Sequence, residues 1–246
     1  VFPKLKILSE NSGSKLTFGS YREYEMDFGE LLRNEIKKGL PGSEVQWEMA
    51  SSDRRIKDFP RHPRHDSATA AVLILLFPDK SQINTVFIQR PNYKGVHGGQ
   101  ISFPGGKREK SDKTIEATAL REAAEETGIN PDEVTITGTL TPLFIPVSNI
   151  LVTPVTGYSD RKPDFVPDSQ EVLFTIEAAI SHFTDPGIIK TGPFDVRGEQ
   201  IDIRYFPYNG HIIWGATAMI LNELLALIRR GDLPLYEPKP GRLNTC

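Results

Sequence analysis

Glu122, Glu125 and Glu126 crowd the end of the stretch "FPGGKREKSDKTIEATALREAAEETGI", residues 103 to 129. The pattern predicts a helix from about Thr114 to Thr127, stopped by Gly128, so two of these acids fall in its last turn. That end of a helix carries partial negative charge, and each exposed acid there costs about 0.3–1 kcal/mol. Either an exposed acidic surface tolerates the penalty, or something positive is meant to sit there. Advancing about 100° per residue gathers the three carboxylates into an arc of about 100°. Ala117, Leu120 and Ala124 fall nearly opposite and form the expected packing stripe. A divalent cation would make both the mutual repulsion and the dipole term favourable. Carboxylate-only ligation selects a hard ion, Mg2+ or Mn2+, which keeps several waters and binds together with a substrate's phosphates. The chemistry this points to is metal-assisted phosphoryl hydrolysis.

The loop before the helix fits that chemistry. Gly105 and Gly106 allow backbone to come close to a phosphate where a Cβ would obstruct, and Pro104 stiffens the approach. The same three residues also make an ordinary turn. Asp112 and Arg121 could form an ion pair bracing loop against helix, or a surface bridge worth about 0–1 kcal/mol.

The positioning elements can be read around this unit. "MDFGELLRNEIKKGLPG" carries Phe28, Leu31, Leu32, Ile36 and Leu40 at helical spacing, with a Gly/Pro stop. "AAVLILLF" and "TVFIQR" read as neighbouring strands joined by the turn-rich "PDKSQIN", and "QISFPGG" as short and extended. "EVTITGTL", "ILVTPVTGY" and "EVLFTI" supply further strands. "IDIRYFPYNGHIIWG" predicts a hairpin around Asn209-Gly210. A last helix, "ATAMILNELLALIRR", closes on Arg229 and Arg230 before Gly231. Strands with and without intervening helices imply a mixed sheet flanked by helices, an α/β fold. Residues 1–27 read as an extension of uncertain order, and 28–246 as a single domain. "SSDRRIKDFPRHPRHDS" is a basic, proline-punctuated connector, read as solvated linker rather than as a patch for an anionic substrate group.

Bulk properties narrow the function classes. Charged residues make up 25% and hydrophobic residues 38% of 246 residues, as in an ordinary globular protein. A formal net charge of -3 gives no global reason to expect a nucleic-acid partner. The longest apolar run is far too short to cross a bilayer, so no membrane association is expected. The single cysteine, Cys246, excludes an internal disulfide framework and a cysteine zinc site and fits a reducing compartment, with a cytoplasmic location expected. Trp47 and Trp214 read as packing residues rather than nucleotide stackers.

The stretch from Gly106 to Ile129 resembles the Nudix box. Its fixed positions fall on Gly106, Asp112, Arg121, Glu122, Ala123, Glu125, Glu126, Gly128 and Ile129. Aspartate rather than glutamate at 112, and eight rather than seven residues before Arg121, are similar to the branch that hydrolyses coenzyme A. So is "HGGQISFPGG", with Arg90, Gly99 and Phe103 to Gly106 in register. Pro91 and Gly95 stand where that branch has serine and a second arginine, with Lys94 adjacent. The likeness extends over roughly residues 28 to 230.

The resemblance implies an α/β/α sandwich with a mixed β-sheet and a loop–helix–loop catalytic motif. It implies Glu122, Glu125 and Glu126 as metal ligands, and Glu122 also as an orienter of the nucleophilic water. Arg121 would hold the acids in place. Glu171 would be the additional acid opposite the helix, a metal ligand or the base; a surface acid before a strand is the other reading. Arg90, Gly105 and Gly106 would contact substrate, and His97 would contact a phosphate or the base, a loop histidine bonded only locally being its other reading. The expected reaction is metal-dependent hydrolysis, with Mg2+ or Mn2+, of the diphosphate of coenzyme A or its derivatives to 3′,5′-ADP and 4′-phosphopantetheine or its acyl form. ADP-ribose, or another nucleoside diphosphate derivative, is the alternative substrate, and a nucleotide-sensing module without catalysis the alternative class. The partner implied is a small nucleotide-type molecule, and a homodimer is left open.

Overall fold

Strand β1 (Ala68–Asp79) organises the protein because both of its faces are buried. Ala71, Leu73, Leu75 and Phe77 point to one side, and Ala70, Ile74 and Leu76 to the other. A strand covered on both faces reads as a continuous apolar run rather than an alternating one. The computed structural model describes residues 27–52, 62–91, 99–196 and 198–236. The N-terminal extension, save Asp27, and the middle of the basic connector lie outside the described residues.

β1 turns into β2 (Gln82–Gln89) through Lys80 and Ser81, with φ of 51° and 62°. Two left-handed residues in succession make the tight hairpin turn that matches strand twist. The strands therefore run longer, and the turn shorter, than "PDKSQIN" implied. β3 (Ile101–Ser102) pairs antiparallel with the last residues of β2 on the same edge as β1, and β4 (Gly105–Lys107) pairs antiparallel with β1. β5 (Thr135–Thr139), β6 (Leu143–Ile145) and β8 (Phe174–Ala179) are antiparallel additions. β7 (Ile150–Tyr158) runs parallel to β1, which makes the sheet mixed as expected. A second, three-stranded sheet follows: β9 (Lys190–Val196), β10 (Glu199–Tyr208) and β11 (His211–Trp214). The sequence reading anticipated only its last hairpin, where Asn209 and Gly210 take φ of 47° and 83°.

Helices cover both faces of the large sheet. α1 (Phe28–Lys37), capped by Asp27 on Glu30 N–H at 2.8 Å, and α2 (Ser43–Trp47) precede the strands. α3 (Ile115–Thr127) covers the Leu73 face, and α4 (Gly215–Gly231) with α1 covers the Ile74 face. α4 includes Gly231 and ends on Asp232 in the left-handed region. Inside that layer, the buried Glu223 carboxylate accepts from Gly42 N–H, Gln46 Nε2, and both the amide and hydroxyl of Thr141. Four donors satisfy a charge that burial alone would disfavour. Among the described residues, no helix is long and apolar enough to cross a membrane.

Candidate active site

The glycine loop is fixed by backbone pairing. Leu73 N–H donates to Pro104 O at 2.8 Å, and β4 then lies against β1 with Gly105 opposite Val72 and Gly106 opposite Ala71. A Cβ on Gly105 would strike backbone, 2.6 Å from Val72 Cα. A Cβ on Gly106 would strike a side chain instead, 2.7 Å from Glu122 Oε1. The two glycines thus serve different ends: one lets the strand close on β1, and the other leaves room for a carboxylate.

α3 starts where Thr114 accepts from Ala117 N–H at 3.2 Å. It stops at Gly128, with φ 73° and Val166 O close to where a Cβ would project. Arg121 joins this helix to the loop. Its Nε and Nη2 each bond one oxygen of Asp112 at 3.0 Å, and Nη2 also reaches Lys107 O at 3.1 Å. Its Nη1 lies 3.0 Å from both Glu122 and Glu125. Asp112, buried, accepts in addition from Glu109 N–H and Thr118 Oγ1. Hydrogen bonds from Arg121 hold the Asp112 carboxyl well below the usual range, and Asp112 in turn raises Arg121. Of the two readings the sequence left open, the structure shows the bracing pair, in bidentate, partly buried form.

The buried face of α3 differs from the expected stripe. Ala119 and Ala123 are fully buried on the sheet, with Thr118, Glu126 and Thr127 also buried. Leu120 and Ala124 pack at its margin, whereas Ala117 is not part of it. The helix is rotated so that Glu126 faces inward, because partners wait for it there. Its Oε2 accepts from Gly105 N–H at 2.7 Å, and its Oε1 lies 3.0 Å from Arg90 Nη2. The same Arg90 nitrogen donates to Gly105 O at 2.8 Å. Burial raises the Glu126 carboxyl to about 7, against the pull of Arg90 and the Gly105 amide, with repulsion from Glu122 and Glu171 adding to the rise. Burial also raises Glu122, opposed by Arg121 and reinforced by Glu125 and Glu171.

One cavity of about 550 Å³ brings Arg90, Gly105, Gly106, Glu122, Glu126 and Glu171 together. Glu171 reaches it from the turn before β8, where its N–H bonds Asp168 O at 3.1 Å. Glu125 does not line the cavity: its side chain is 56% exposed and held by Arg121. His97, Lys94 and Gly95 lie outside the described residues. Trp214, read as packing, lines the cavity while leaning on Phe194. Val147, Ile201 and Thr217 also line it, and no local pattern marked them.

The donor set suits a hard divalent ion, being all carboxylate oxygen around a glycine loop. The elevated pKa values of Glu122 and Glu126 describe two acids kept together at a cost that a dication would offset. As they stand, no three acidic, imidazole or thiol groups among the described residues are close enough to enclose an ion. Glu122 and Glu126 are the residues that would hold it, with Glu125 at the rim.

The NUDIX domain family model matches residues 67–209, more than half of the chain, and the chain belongs to the Nudix family. It is 34% identical over 179 residues to Nudix hydrolase 22, chloroplastic, of Arabidopsis thaliana, covering 70% of this chain and 59% of that protein. It is 35% identical over 166 residues to an uncharacterised Nudix hydrolase, NudL, of Pectobacterium atrosepticum, covering 66% of this chain and 83% of that one. Against a peroxisomal coenzyme A diphosphatase of Mus musculus it is 29% identical over 183 residues, covering 72% and 77%. The matches to two plant relatives span about three-fifths of their length, 59% and 62%.

Proposed function

We propose that the chain is a divalent-metal-dependent diphosphatase that cleaves coenzyme A or a derivative to 3′,5′-ADP and 4′-phosphopantetheine or its acyl form. The observation that carries the reading is the convergence of Glu122, Glu126 and Glu171 with the Gly105–Gly106 backbone in one cavity. Gly106, with no Cβ, leaves space for both the Glu122 carboxylate and an approaching phosphate. Arg90 supplies positive charge beside Glu126 and faces the same cavity, where it would meet a diphosphate oxygen. Glu171, exposed on a turn, accepts the proton of the attacking water. Arg121 keeps Glu122 aimed while anchored on Asp112. Held by Glu122 and Glu126, Mg2+ or Mn2+ would supply positive charge for the diphosphate and a more acidic water. Coenzyme A is favoured as substrate by the branch-like "HGGQISFPGG" segment and by the similarity to the mouse coenzyme A diphosphatase.

Purified protein with Mg2+ or Mn2+ is tested against coenzyme A, ADP-ribose, NADH and dinucleoside polyphosphates, with products resolved by chromatography. Metal-dependent release of 3′,5′-ADP from coenzyme A, lost in Glu126→Gln, is the expected result. Preference for ADP-ribose would reject the substrate and keep the chemistry. Metal-independent binding without turnover of any compound would reject the enzyme reading.

A further inference from the structure

The connection from β7 to β8 is longer than a turn requires, and it is anchored on the end of α3. Ser159 to Leu173 is loop throughout. The last carbonyls of a helix have no partner within it. Here Thr127 O accepts from Val166 N–H at 2.8 Å, and Glu126 O accepts from Asp168 N–H at 3.2 Å. Phe165 leans on Phe77, a member of the core beneath the same helix, with ring centroids 5.6 Å apart. Phe165 and Val166 therefore seat the loop before Asp168 is reached.

Asp168 then makes three further hydrogen bonds, all with residues that follow it. Its carbonyl accepts from Glu171 N–H at 3.1 Å and from Val172 N–H at 2.8 Å, and its Oδ1 accepts from Gln170 N–H at 2.9 Å. A carboxylate bonded to the amide two residues on makes an Asx turn, which sets the path of the backbone locally. Val172 is buried and Leu173 N–H bonds Gln89 O at 2.9 Å, so the turn is held at its far end as well. Glu171 lies between these two fixed points and lines the cavity with Glu122 and Glu126, while Asp168 itself is exposed outside the cavity wall. Two backbone hydrogen bonds, both through Asp168, link the residue that carries the buried Glu126 carboxylate to Glu171.

We propose that Asp168 is a positioning residue: its side chain shapes the 168–172 turn so that the Glu171 carboxylate stands at a set distance from Glu122 and Glu126. The assignment rests on the diphosphatase reading with Glu171 as base, and it holds for coenzyme A and ADP-ribose alike. Asp168 acts through the geometry of its turn and not through its charge.

A double-mutant cycle, read by steady-state hydrolysis of coenzyme A with Mn2+ (or of ADP-ribose, if that is the compound turned over), tests this. Glu171→Gln should lose about 10²- to 10⁴-fold in kcat, the worth of a general base. Asp168→Ala should lose about 10- to 100-fold in kcat with KM within about twofold, as for a base displaced by up to about 1 Å. Adding Asp168→Ala to Glu171→Gln should cost no more than about twofold further, because the two act as one unit. Asp168→Asn keeps the Oδ1 acceptor and should recover most of the lost rate. Asp168→Glu keeps the charge but not the turn and should not; it replaces alanine in the cycle if Asp168→Ala does not fold. Mn2+ affinity, read by electron paramagnetic resonance without substrate, should match the parent in every Asp168 variant. Additive losses, or a fall in Mn2+ affinity along with the rate, overturn the assignment and leave the diphosphatase reading intact. Recovery by glutamate but not by asparagine makes charge the cause and also overturns it. Parent-level turnover in Glu171→Gln removes the base, and the positioning role with it, while metal-dependent hydrolysis stands. A parent protein that binds these nucleotides and turns none over overturns both readings.

Discussion

Replacing either loop glycine by alanine should separate folding from catalysis. At Gly106 the added Cβ would lie 2.7 Å from Glu122 Oε1, against an ordinary contact that begins at 3.4 Å. The carboxylate is the far end of a flexible side chain, so it can retreat, and because Oε2 lies nearer still than Oε1 the retreat is about 1 Å or more. Gly106 is not in the left-handed region, and alanine reduces the freedom of the unfolded chain, which favours stability by about 0.4–1 kcal/mol. A displacement approaching 1 Å in a positioning group costs about 10²-fold in rate. Gly106→Ala should therefore melt within a few degrees of the parent and lose about a hundredfold in kcat. Gly105→Ala should behave differently. Its Cβ would meet Val72 Cα at 2.6 Å, so β4 must leave β1 and the Gly105 amide must leave Glu126. A loss of about 2–3 kcal/mol is expected, by analogy with overpacked cores. Thermal melts and steady-state hydrolysis of coenzyme A on both variants are the assay. Full activity in Gly106→Ala, or equal destabilisation by the two changes, would refute the division of roles.

Two further outcomes follow from the charges. Arg121→Ala strands the buried Asp112 carboxylate and should cost about 3 kcal/mol in urea unfolding, and lysine, lacking the fork, should restore less than half of it. In the metal-free protein Glu126 titrates near 7, above its unfolded value of 4.5, so the folded state holds the proton more tightly. That stabilisation is complete below pH about 4.5 and is lost as pH rises through 7, a swing of up to about 3 kcal/mol. Melts with and without Mn2+ at pH 5 and pH 8 should show the larger metal-induced rise at pH 8; an equal rise at both would contradict the burial of Glu126.

The arrangement joins function to a stability cost. Among the described residues the buried Glu126 carboxylate is tied to one cation and one amide, and Glu122 stands beside it. A core optimised for stability would place apolar groups there, as Ala119 and Ala123 do one turn back. Under the proposed function that cost has a use, since a dication and the substrate's phosphates would bring the missing positive charge and hydrogen bonds. The Glu223 cluster is the contrast within the same molecule: a buried carboxylate with four donors and no lining role in the cavity.

Where structure depends on neighbours in the chain, the sequence by itself determined it. The extent of α3 follows from Thr114 and Gly128, β7 matches "ILVTPVTGY", and the final hairpin turns where Asn209-Gly210 predicts. The box residues were legible for the same reason, since one helix and one loop carry them. The rest depended on groups distant in sequence. Alanines surround α3 on several sides, so composition alone did not say which face is buried. Arg90, 36 residues away, and the Gly105 amide, 21 residues away, decided that Glu126 turns inward. Glu171 joins Glu122 only because β8 pairs with β2, and Trp214 becomes a wall only because α4 begins beside β3. A periodicity records which residues share a face; what that face meets is set by burial and charge pairing across the finished fold.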